Sequence, residues 1–94
     1  MKERFSSRHV SSDSSVTVDR FRAFVTQGVV LQVQLIGGKG GFRLLLNLKR
    51  GNYWLHTEKS QQPRVFSKAE TAFKVVRDAG LKEIDHVELS GWVP

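Results

Sequence analysis

Val29-Val30-Leu31-Gln32-Val33-Gln34-Leu35-Ile36, then Gly37-Gly38-Lys39-Gly40-Gly41, then Phe42-Arg43-Leu44-Leu45-Leu46-Asn47-Leu48, is the stretch that decides the fold. Apolar residues alternate with period two on both sides of the glycines, the spacing that puts side chains on one side of a strand. Val29, Leu31, Val33 and Leu35 are expected to face a core, with Gln32 and Gln34 outward. Phe42, Leu44, Leu46 and Leu48 are expected to meet them from the second strand. Four glycines in five positions suit a mobile hairpin connection with positive φ angles. Neither the Walker spacing nor the dinucleotide-binding glycine spacing is present, so a phosphate cradle is not indicated beyond a brush against Lys39.

Working toward the C-terminus, Lys49-Arg50-Gly51-Asn52 reads as a tight turn and Tyr53 to Glu58 as a return strand. Tyr53, Leu55 and Thr57 lie on one side of that strand, and Trp54, His56 and Glu58 on the other. Ser60 to Arg64 is a loop, ended as a ladder by Pro63. Ser67-Lys68-Ala69-Glu70 has the capping-box spacing, with Phe66 placed to staple onto Thr71. Ala69, Ala72, Phe73 and Val76 give the apolar stripe of a helix over 68–79, with Gly80 as its stop. Ile84 to Leu89 is expected as a last strand with Val87 and Leu89 inward, and Trp92 in the tail is either docked or offered to a partner.

Toward the N-terminus, Val18, Phe21, Phe24 and Val25 share one helical face over 18–27, with Thr17 as N-cap and Gly28 as terminator. Residues 1–16 carry six serines and few large apolar groups, so they are expected to form a disordered arm ahead of a single domain over 17–94. The expected class is α+β: a small antiparallel sheet, a three-strand meander plus a C-terminal strand, with two helices on one face in the order α-β-β-β-α-β.

The chain has 94 residues and no cysteine, which excludes disulfides, a thiol nucleophile and Cys-ligated metal. No run approaches the roughly 18–20 apolar residues of a membrane span, and residues 1–15 lack the apolar stretch of a secretory signal, so a cytoplasmic location is expected. Net charge is +6, unevenly placed. Residues 42–77 hold eight basic and two acidic side chains, whereas residues 78–94 hold one basic and four acidic. That asymmetry favours a polyanion at one place and an electrostatic protein partner at another; a merely solubilising surface would look similar.

Catalytic and metal signals are weak. His56, Glu58 and His86 could share a site only if the fold joined their strands, and no metal-ligand spacing or nucleophile elbow is present. Neither an enzyme, a cofactor, a membrane contact nor a small-molecule substrate is expected. The candidate surface is the hairpin of 42–59 and the loop after it, where Arg43, Lys49, Arg50, Lys59 and Arg64 surround Tyr53 and Trp54. Lys68, Lys74 and Arg77 on the exposed side of the second helix are expected to join them. Cations bind phosphates without reading sequence, and an exposed ring can stack on a base. Because a strand alternates, one of Tyr53 and Trp54 must face the core, and the other is left to solvent or to cover by the Ser-rich arm. The nucleic-acid reading requires these cations to converge on an aromatic ring. Its alternative is a protein-interaction or self-association module, using Trp92, the acidic 78–94 segment and an unpaired sheet edge to recruit a basic partner or a second copy.

The run from Pro63 through Leu81, followed by His86-Val87-Glu88-Leu89, resembles small proteins of plasmids and integrative elements, the ParC-type partition-associated proteins (unrelated to the topoisomerase subunit of similar name). The similarity extends over roughly residues 40–92 and includes the hairpin with its aromatic pair. It implies a bacterial mobile element and an accessory role near DNA segregation or maintenance, while the charge pattern itself gives DNA, or RNA, as the expected electrostatic partner. It carries over no catalytic residue, and the Ser-rich arm lies outside it.

Overall fold

The computed structural model describes residues 16–59 and 62–93. Of the arm expected over 1–16, residues 1–15 lie outside this description, as do Ser60, Gln61 and Pro94. Six elements follow one another: α1 (Val18–Gln27), β1 (Val30–Gly38), β2 (Gly41–Leu48), β3 (Gly51–Trp54), α2 (Ala69–Asp78) and β4 (His86–Glu88). The α+β class and the order α-β-β-β-α-β are those expected. Strands lie in the order β3-β2-β1-β4, and β1 pairs antiparallel with β2 but parallel with β4, so the sheet is mixed. The chain leaves β3 at one edge, crosses both inner strands by way of α2 and re-enters at the far edge running with β1.

Both helices pack on one face of the sheet. Phe21 from α1 and Ala72 and Val76 from α2 form a single cluster with Val33, Leu35, Phe42, Leu44, Leu46, Leu48 and Leu55. Burial of these side chains is the main stabilising term for so small a domain. Thr17 caps α1, its Oγ1 accepting from the Arg20 amide, and Gly28 closes the helix at φ 75°. Val16, expected within the arm, is buried, pairs in parallel with Leu55, and accepts at its carbonyl from the His56 amide.

Four local expectations are corrected. First, the ladder slips between Val30 and Gln32, a bulge that leaves Val30 against the core and turns Leu31 out to solvent. Second, the glycine run does form the expected hairpin connection, with positive φ at Gly40 and Gly41, but a shorter one: Gly38 pairs with Gly41, only Lys39 and Gly40 form the tip, and Val93 of the tail pairs with Lys39. Gly41 is required there, because a Cβ would collide with the Phe66 carbonyl as Phe66 pairs with Phe42. Third, no capping box forms. That same pairing holds Phe66 in extended backbone, so α2 starts after Lys68, whose side chain makes no cap bond. Fourth, the last strand shortens to three residues at the sheet edge, where Val87 and Leu89 are exposed instead of inward. The helix stop at Gly80 does form: the Gly80 and Leu81 amides donate to the Arg77 and Val76 carbonyls, a Schellman pattern.

Candidate nucleic-acid interface

Alternation along the strands builds a second face, away from the helices. Across it, the registers of β4, β1, β2 and β3 define three rows. The first is Glu88, Ile36 and Arg43; the second His86, Gln34, Leu45 and Trp54; the third Gln32, Asn47 and Asn52. Amide side chains link two of the rows: Gln34 Nε2 donates to Asn47 Oδ1 at 2.7 Å, and Asn47 Nδ2 donates to Asn52 Oδ1. Leu45 is 1% exposed yet stands outside the helix-side core, so it is the apolar floor of this face. Trp54 is half-buried directly opposite it. Arg43 is half-buried as well, and its guanidinium lies over Gly38, where a Cβ would stand 2.5 Å from Nη1.

The sequence-derived site residues divide among four places. Arg43 and Trp54 share the open face, and Lys49 and Arg50, exposed in the two-residue turn from β2 to β3, extend it beside the Asn47–Asn52 row. Tyr53 goes the other way and packs against the helix-side core. At the end of β3, Lys59 is exposed, while Arg64 is committed to Phe66, with its guanidinium carbon 4.5 Å from the ring centroid. Lys68, Lys74 and Arg77 are exposed at and along α2, in the layer that covers the opposite side of the sheet. Folding therefore does not gather all eight cations around one aromatic ring. The cause is strand alternation, which sends neighbours 53 and 54 to opposite faces.

The residues sequence reasoning missed are Leu45 and the amide row. Leu44-Leu45-Leu46 is a continuous apolar run, the signature of a strand buried on both sides, and it is the signal for Leu45. Trp92 is docked, its ring stacked on Phe42 with centroids 5.6 Å apart and planes 17° from parallel. His56 is buried just past β3, whereas His86 lies on the opposite edge strand, so the sheet keeps them apart. Among the described residues no group of three or more His, Asp or Glu side chains could hold a metal ion. No helix among them is long and apolar enough to cross a membrane. The chain matches no protein-family profile, no curated protein and no solved structure.

Proposed function

We propose that this chain is a non-enzymatic nucleic-acid-contacting module that lays a single strand across the open face of its sheet. The observation that carries the reading is the company kept by Trp54: a half-buried aromatic residue paired across the ladder with Leu45, on the same face as Arg43 and on the strand that follows the cationic Lys49–Arg50 turn. Arg43, Lys49 and Arg50 take phosphates, Trp54 stacks on a base or sugar, and the Gln34–Asn47–Asn52 amides lend polar contacts between them. In the mobile-element setting that the ParC-type resemblance implies, such a module serves as an accessory of DNA partition or maintenance.

Fluorescence anisotropy with labelled single-stranded DNA, single-stranded RNA and duplex DNA tests it. Trp54→Leu keeps an apolar cover on Leu45 but removes the stacking plane, and it is expected to weaken single-strand binding about tenfold or more. Arg43→Gln is expected to weaken all three alike. Equal affinity of wild type and Trp54→Leu for single strands contradicts the stacking role, and no binding of any of the three contradicts the function.

A further inference from the structure

Independently of any nucleic acid, the far edge of the sheet is shaped for a second copy of this chain. β4 is the end strand, paired on one side only with β1. Three large apolar side chains crowd that edge in solvent: Phe73 at 48% exposure, Val87 at 47% and Leu89 at 55%. Beside β4 runs a groove of about 510 Å³, lined by Phe73, Val76, Leu81, Ile84 and Val87. Arg77, Lys82 and Glu83 line the same groove, for one net positive charge. An apolar edge of this kind next to unpaired strand backbone is a pairing template, and small proteins rarely leave one uncovered.

The register of β4 names the occupant. An antiparallel strand centred on Val87 would set His86 of one copy opposite Glu88 of the other, and two-fold symmetry repeats the pair. The Glu88 carboxylate already accepts from the Ser90 hydroxyl at 3.1 Å within its own chain, and a carboxylate has further lone pairs with which to accept from an imidazole N–H across the strands, so the strand is its own partner in this register. The two Val87 side chains then meet at the axis on the helix side, where Val87 already sits opposite the core residue Leu35. Leu89 of the second copy would reach the groove next to Ile84. Residues 78–94 hold four acidic side chains against one basic, so the two segments repel one another except where His86 meets Glu88 and where Arg77, just outside the segment, reaches the other copy. A slip by one residue would turn Val87 to the opposite face, which strengthens the register.

We propose that the chain forms a two-fold dimer in which the β4 strands pair antiparallel about Val87, continuing the sheet through both copies. The axis stands perpendicular to the sheet, so both helix layers lie on one side and both Trp54 faces on the other. Sedimentation equilibrium of the full chain without nucleic acid, across micromolar concentrations, is the test. Wild type is expected to dimerise. Glu88→Lys places a lysine opposite His86, and His86→Glu places two carboxylates opposite one another; each is expected to raise the dimer dissociation constant about tenfold. The double variant His86→Glu with Glu88→Lys restores opposite charges and is expected to recover most of that loss. A wild-type monomer throughout, indifference of the dimer to both single changes, or a double variant no tighter than the singles would each overturn the proposal. None of these outcomes bears on nucleic-acid binding, which is measured separately.

Discussion

Val33 is held at both of its backbone groups by one residue, Asp85. The Val33 amide donates to Asp85 Oδ2 at 2.9 Å, and the Asp85 amide donates to the Val33 carbonyl at the same distance. A carboxylate thus extends the β1–β4 ladder one step beyond the last backbone pair, next to a side chain that is fully buried. Asp85→Ala leaves the Val33 amide without its acceptor, and it is expected to cost about 1–3 kcal/mol in denaturant unfolding. Asp85→Asn keeps an acceptor oxygen and is expected to lose less than half as much. Equal losses for the two variants would mean that the side-chain bond contributes nothing. The bond was invisible in the sequence because Asp85 and Val33 are 52 positions apart and no local pattern joins them.

Among the elements, what decided legibility was whether a neighbour in space competed with the local signal. α1 was readable to the residue because its cap, its face and its terminator are all local. β2 was readable on its helix side for the same reason, its alternation being unbroken from Phe42 to Leu48. α2 shows the limit. Ser67 and Glu70 have the capping-box spacing, but the bridge between Phe42 and Phe66 fixes the incoming chain and shifts the start past Lys68. Ser67→Ala is accordingly expected to change stability by less than about 0.5 kcal/mol. Thr17→Ala, which removes a cap that does form, is expected to cost about 0.5–1 kcal/mol. Thermal or chemical unfolding of the two variants side by side checks this, and a larger loss at Ser67 would contradict the observed helix start. The bulge at Leu31 was unreadable for a related reason: a one-residue slip is set by the pairing of β1 with Leu48, not by the apolar pattern of β1 itself.

At the scale of the molecule, the two faces of the sheet have different chemistry. One is covered by helices whose outer surface carries Lys68, Lys74 and Arg77; the other, which no helix among the described residues covers, presents half-buried Arg43 and Trp54 around the buried Leu45, with the Lys49–Arg50 turn at its side. The concentration of positive charge in residues 42–77 was plain in the sequence, but its distribution was not, because strand alternation and the crossover through α2 decide which cations become neighbours. The central claim is therefore one of sidedness: nucleic acid binds the open face and not the helix layer. The most direct measurement is the salt dependence of single-stranded DNA affinity for wild type, Lys49→Glu with Arg50→Glu, and Lys74→Glu with Arg77→Glu. The slope of log affinity against log salt is expected to fall by about 1.4 in the turn variant and to stay within about 0.5 of wild type in the helix variant. Equal losses in the two variants, or a loss confined to the helix variant, would contradict the account.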